Sequence, residues 1–277
     1  MSERRRILKA LVAAGLWTAA APFDVAWAQK KGEKKKPPTS EEKLAEQPII
    51  AASSDLQPLL EDIARGFEGG GRVRIAVGAT DRLYSQIQGE EAPFEMFLSA
   101  DETLVTQLAE AEKTDGQGDV YAIGRLAFYV PARSPLRADN YLSDVRTALR
   151  DGRLQHFTIV NPDTDPYGRL AEEVLRHKLV WEEIQPLLSI GDDVSQTAQM
   201  AANGVGQAAL VAYSQSGQLM AARGGKCVLV SDSLCPSLSE RMVLLKNASA
   251  TTRRFYRYML SDRVKGTLRR YGFLTPD

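Results

Sequence analysis

Residues 49–68 read IIAASSDLQPLLEDIARGFE. A short apolar run, Pro48–Ala52, ends in two hydroxyl residues, Ser53 and Ser54. Beyond them Leu56, Leu59, Leu60, Ile63, Ala64 and Phe67 recur at helical spacing and form one apolar face. Asp55 is placed to cap that helix, and Pro58 falls in its first turn. A strand running through a small polar turn into an amphipathic helix is the unit of an α/β sheet protein.

The same unit recurs along the chain. Val73–Val77 reads as a strand, Gly78-Ala79-Thr80 as its exit and Leu83–Ile87 as a short helix. Phe94–Ser99 and Leu126–Pro131 read as further strands. In the second half His156–Val160, Ala208–Tyr213, Lys226–Val230 and Arg241–Leu245 are strand-like, while Leu170–Leu179 and Val194–Ala202 are helix-like. Thr252–Leu260 and Asp262–Arg270 read as terminal helices. No internal repeat is visible. The pattern predicts two α/β lobes.

Several strand exits share one chemistry. Ser53-Ser54 and Gly78-Ala79-Thr80 lie in the first half; Asn161 to Gly168 (NPDTDPYG) and Gly191-Asp192-Asp193 lie in the second. The first turn of a helix offers unpaired N–H groups and the positive end of its dipole. Singly, such an exit is an N-cap. Two from each half, meeting in a cleft, can hold an anion without Lys or Arg.

Composition agrees with a globular chain of 277 residues, 44% hydrophobic and 25% charged. Basic and acidic residues both number 35. That balance does not suit a dedicated nucleic-acid binder, which would carry a positive excess. Residues 1–28 pair a basic start (Arg4, Arg5, Arg6, Lys9) with an apolar stretch and an A-x-A-like site at Ala26-Trp27-Ala28. They read as an export signal, by the twin-arginine or the general secretory route. Residues 29–47 are a Lys- and Pro-rich linker too polar to bury a core.

Other constellations carry less. Cys227 and Cys235 stand eight apart around a strand-like run. In an exported protein they form a disulfide or remain two buried thiols. His156 and His177 read as structural or surface residues, and nothing places either beside Ser53 as a hydrolase would require. No G-x-S-x-G elbow, H-E-x-x-H or P-loop is present. We read no catalytic residue. The arginines of the terminal helices form a solvated face or a docking face.

Taken in order, IIAASSDLQPLLEDIARGFE, VGATDRLYSQI, APFEMFLSADE, YAIGRLAFYVP, NPDTDPYGRLAEEVL, GDDVSQTAQMAANG, AALVAYSQSG and RRYGF resemble the periplasmic molybdate-binding proteins of ABC importers. The SAD box (Ser99-Ala100-Asp101), the PYG turn and the terminal YGF are jointly specific. The resemblance implies a two-lobe type II periplasmic-binding fold with two crossover strands and an interlobe cleft. Lobe 1 would hold 48–128 and 236–277, and lobe 2 would hold 129–235. It implies a monomeric, periplasmic receptor that takes molybdate, or tungstate, as an oxyanion and passes it to an ABC permease in the inner membrane. No cofactor and no directly ligated metal are implied.

The implied ligand set is Ser53, with Ser54 beside it, Thr80, and the backbone N–H groups at Tyr167 and Val194. Some members add a Tyr hydroxyl. The aligned position is Ala212, with Tyr213 one residue further, where side-chain direction on a strand reverses. Asp81 departs from the pattern, which carries a small or neutral residue there. At about 6 Å and an effective dielectric of about 20, each pair of unit negative charges costs roughly 3 kcal/mol. That is on the order of a hundredfold in affinity. Asp81 either points to solvent at its helix N-terminus or marks a receptor or sensor for another oxyanion, such as hydrogen phosphate.

Overall fold

The computed structural model describes residues 47–67, 72–89 and 92–276. The expected export signal, all but the last residue of the linker and the Gly69–Gly71 loop lie outside them. Two five-stranded mixed sheets carry the fold. The first contains β1 (Ile49–Ser53), β2 (Arg74–Gly78), β3 (Phe94–Ser99), β4 (Asp119–Gly124) and β10 (Leu238–Leu244), in the order β2-β1-β3-β10-β4. The second contains β5 (Leu126–Val130), β6 (Phe157–Val160), β7 (Leu188–Gly191), β8 (Ala208–Ala212) and β9 (Lys226–Leu229), in the order β7-β6-β8-β5-β9. The two sheets are the centres of two α/β lobes.

Helices flank both sheets: α1 (Gln57–Gly66), α2 (Thr80–Gln88), α3 (Glu102–Glu110), α4 (Val145–Arg150), α5 (Pro166–His177), α6 (Trp181–Ile184), α7 (Val194–Asn203), α8 (Ser216–Arg223), α9 (Ala250–Met259) and α10 (Asp262–Arg270). Most of the predicted face of α1 is buried: Leu59, Leu60 and Ile63 join Ile50, Met96, Phe255 and Leu268 in the first core, while Ala64 is exposed. Phe67 meets Phe255 edge-on at 5.2 Å. In the second lobe Phe128 stacks on Phe157 at 6.2 Å. All five residues of β8 are buried, as a continuous apolar run covered on both faces requires.

The chain passes between the sheets twice, once between β4 and β5 and once between β9 and β10. One residue, Arg125, separates β4 from β5. Its guanidinium donates to the Gly272 carbonyl at 2.6 and 3.1 Å. Next to it Ile123 and Leu274 exchange two backbone hydrogen bonds. The C-terminal residues thus clasp the crossing.

Several elements depart from the sequence reading. The helix expected from Leu170 starts at Pro166, and the one expected from Leu83 starts at Thr80, so both lengthen toward the cleft. β4, β7, α3, α4, α6 and α8 have no counterpart in the sequence reading. In β4 the apolar stretch is short, between Asp119 and Gly124. Gly124 is required there: a Cβ would collide with the Tyr167 hydroxyl and the Glu240 carboxyl.

Of the two states open to the cysteines, the structure has free thiols. Side chains alternate across a sheet, and β5 shows it. Leu126, Phe128 and Val130 enter one core, which also takes Cys235. Ala127 and Tyr129 enter the other, against which Cys227 packs. The sulfurs therefore belong to opposite faces. Burial pushes Cys227 up to about 12 and Cys235 up to about 11.

Candidate functional site

Parallel pairing brings the strand exits together. Ser53 at the end of β1 pairs with Gly78 at the end of β2. Thr80, two residues on, then reaches back, and its Oγ1 donates to Ser53 Oγ at 2.9 Å. In the other lobe Val160 at the end of β6 pairs with Gly191 at the end of β7, aligning the turns that open α5 and α7. Ligand crevices of open α/β sheets form at such carboxyl ends.

Across the cleft the two sets meet directly. Val194 N, at the head of α7, donates to Ser54 Oγ at 2.9 Å. Ser195 Oγ donates to the Ser54 carbonyl at 3.1 Å, and Asp81 N to the Thr164 carbonyl at 3.2 Å. Ser53, Ser54, Thr80, Tyr167 and Val194 are all buried. Four of these five pair with one another, Ser53 with Thr80 and Ser54 with Val194. The fifth differs: Tyr167 N donates to Asp165 Oδ1 at 3.0 Å, so this N–H is already capped from within α5. Tyr213 lies in the 3-10 turn after β8, and its ring packs beneath the Arg125 guanidinium at 5.4 Å.

Asp81 does not simply point to solvent: it turns toward the other lobe. Its carboxylate receives two hydrogen bonds from Arg169 of the other lobe, at 2.7 and 3.2 Å. Arg169 also donates to Asp101 at 3.2 Å. This gives the SAD box a role: Asp101 caps α3 through Thr103 N at 2.9 Å and holds Arg169 with its second oxygen. A guanidinium thus offsets the charge that would otherwise oppose an anion.

The sequence reading missed a set of buried carboxyls beside the hydroxyls. Asp55, expected as a helix cap, makes no cap hydrogen bond and is fully buried in the 3-10 turn after β1. Its Oδ2 accepts from the Tyr167 hydroxyl at 3.3 Å, and Glu240 Oε1 lies 3.2 Å from the same hydroxyl. Tyr121 donates to Glu240 Oε2 at 2.8 Å. The Asp55 and Glu240 carboxyls thus meet around one hydroxyl. Burial raises both above the usual carboxylate range, Glu240 the more strongly because the Asp55 charge faces it. Two such facing carboxyls resist ionising together. The hint in the sequence was a Glu inside the strand LSERMVL.

Asp165 is the third member. It is fully buried at the head of α5, and its Oδ2 has no partner. Burial pushes its carboxyl up to about 8; the Tyr167 N–H opposes the shift, and the Asp55 and Asp81 charges add to it. No chemistry of attack is arranged here. His156 and His177 are exposed, whereas Ser53 is buried against Thr80. Among the described residues no group of three or more His, Cys, Asp or Glu is set to hold a metal ion.

Residues 49–274 match the sequence model of a family described as bacterial extracellular solute-binding protein. The molybdate-binding protein ModA of Rhodobacter capsulatus is 31% identical over 232 residues, covering 82% of this chain and 88% of that protein. ModA of Azotobacter vinelandii is 29% identical over 231 residues, covering 81% and 88%. In structure, the chain is similar to the Azotobacter vinelandii periplasmic molybdate-binding protein. The TM-score is 0.73 at 23% identity, over 83% of this chain and 100% of the other.

Proposed function

This chain belongs to the bacterial extracellular solute-binding protein family, and from that membership we propose that it is a periplasmic receptor for molybdate that serves an ABC permease. Its relatives are binding proteins named for molybdate, and the reading involves no chemical step. Tungstate, of the same charge and shape, is the second ligand proposed. The observation that carries the reading is the meeting of Val194 N and Ser54 Oγ at 2.9 Å across the cleft, with Thr80 and Ser53 beside it. Uncharged donors from both lobes converge at one buried place.

In this reading the anion enters between the lobes and takes over hydrogen bonds that the donors now make to each other. A hydrogen bond to a charged group contributes about 1.5–3 kcal/mol, more than the neutral bonds it replaces. Because donors come from both lobes, the anion favours the closed state over the open one. Size selects: a cavity fitted to molybdate holds the smaller sulfate loosely. Ser53, Ser54, Thr80 and the Val194 N–H are the proposed contacts. The Tyr167 N–H contributes only if Asp165 turns aside, and Tyr213 is not among the proposed contacts. Export to the periplasm and a monomeric state belong to the same proposal.

The alternative of a receptor or sensor for hydrogen phosphate drew on Asp81. The Arg169 pair supports a structural task for Asp81 instead, joining the lobes. Isothermal titration with molybdate, tungstate, sulfate and phosphate tests the reading. Binding of the first two, with weak or no binding of the others, is expected. Absence of both heat and thermal shift with molybdate and tungstate would overturn it.

A further inference from the structure

We propose that Asp165 is a specificity-determining residue of this site, donating a proton-bearing Oδ2 to a fully ionised tetrahedral oxyanion, so that capture weakens when that proton is lost. The inference rests on the oxyanion-binding reading above.

Three observations place the group. First, the two carboxyl oxygens differ. Oδ1 caps Tyr167 N at 3.0 Å, while Oδ2 is buried and has no partner. A buried polar atom left unpaired is costly, and native interiors rarely contain one without a reason. Second, the neighbouring Thr164 Oγ1 is also buried without a partner. The Thr164 carbonyl accepts from Asp81 N at 3.2 Å, so this turn abuts the head of α2, where Thr80 stands. Two adjacent unpaired groups thus sit where this turn of one lobe meets the helix head of the other that carries Thr80. Third, the carboxyl is encircled by charge. Asp55 faces it from the turn after β1, Asp81 from α2 and Arg169 from its own helix, with Glu240 of β10 behind Asp55 and Asp101 behind Arg169.

The charge count settles the protonation state the site can use. An ionised Asp165 would set a third negative charge beside Asp55 and Asp81, with Arg169 alone to offset them. Protonated, it is neutral and its O–H is free to donate. Burial and these neighbours already hold the proton up to about pH 8, and a bound dianion would hold it more firmly. The opposite use, an ionised Asp165 accepting a hydrogen bond from hydrogen phosphate, would bind better as pH rises.

The test is titration of the full chain with molybdate from pH 6.5 to 9.5, where that anion stays doubly charged, for wild type, Asp165→Asn and Asp165→Ala. In wild type Kd should be level to about pH 8 and then rise toward about tenfold per pH unit. Asn keeps the cap and offers an amide N–H in place of the acid, so Asp165→Asn should bind within a few-fold of wild type at pH 7 and show no pH dependence. Asp165→Ala should bind about tenfold or more weakly at every pH below 8. A level wild-type Kd across the range, an equal slope in Asp165→Asn, or undiminished binding by Asp165→Ala would overturn the Asp165 role and leave the molybdate reading standing. Phosphate binding that strengthens with pH in wild type and is lost in Asp165→Asn would replace donor by acceptor and overturn it too. No binding of molybdate at any pH overturns both.

Discussion

Arg169 Nη1 lies 2.7 Å from Asp81 Oδ2, and that contact ties the first turn of α2 in one lobe to α5 in the other. Arg169 is 41% exposed and Asp81 27%, so the attraction is partly screened by water. Its larger effect is on a bound anion. Arg169→Ala would leave Asp81 uncompensated at the edge of the cleft. We expect about tenfold weaker molybdate binding at low salt, a smaller loss at 0.5 M salt, and recovery in the double variant Arg169→Ala with Asp81→Asn. Titration calorimetry at two ionic strengths reads all three. Equal losses with and without the Asp81 change would show that the charge of Asp81 is not what Arg169 controls.

Ser54→Ala removes the acceptor of the Val194 N–H and one proposed ligand donor together. Loss of a hydrogen bond to a charged partner costs about 1.5–3 kcal/mol, so Kd for molybdate should rise about tenfold to a hundredfold. The apo protein should lose far less in thermal stability. An unchanged Kd would remove Ser54 from the ligand set.

Asp165 also links stability to pH. Its folded carboxyl sits at about 8, above the 3.8 of a free side chain. The unfolded chain therefore binds fewer protons between these values, and stability falls as pH rises through that window. The contribution is complete below about pH 4 and gone above about pH 8. Asp165→Asn does not titrate. Its unfolding free energy relative to wild type should climb with pH by up to about 1.4 kcal/mol per unit and level off above about 8. Urea unfolding at pH 5, 6, 7, 8 and 9 measures this, and a constant difference would contradict it.

Cys227 and Cys235 are both free and both shifted well up by burial. The thiolate is the reactive form. At pH 8 the native protein should react with a thiol reagent far more slowly than the unfolded chain, which should titrate as two thiols per molecule without reductant. Fewer than two after unfolding would mean that the sulfurs pair, against the opposite-face packing of β9 and the return crossing.

The local parts of this fold were legible. Ser53, Ser54, Thr80 and Val194 each follow an apolar run and precede a helix, and a few neighbouring residues suffice to show that. The carboxyl cluster was not, because burial is decided by distant segments. Tyr167 meets Asp55 across 112 residues and Glu240 across 73. Nothing near Asp55 distinguishes an exposed cap from a buried acid, since the word SSD before a helical run fits both. The ion pair of Asp81 was hidden for the same reason: its partner, Arg169, lies 88 residues on. β7 escaped because only Gly191 is buried, while Leu188 and Ser189 are half-buried and Ile190 is exposed, which leaves little alternation to read.

The clasp of residues 272–274 on the β4–β5 crossing bears on how the molecule is made. Every strand of the second sheet is synthesised in one stretch, from β5 to β9. The first sheet must wait: β10 fills the gap between β3 and β4 only after that stretch has left the ribosome. Until then β3 offers an open edge, the kind of surface on which chains stick to each other. The half of the molecule begun first is finished last, and any factor that guards the nascent chain has that bare edge to shield.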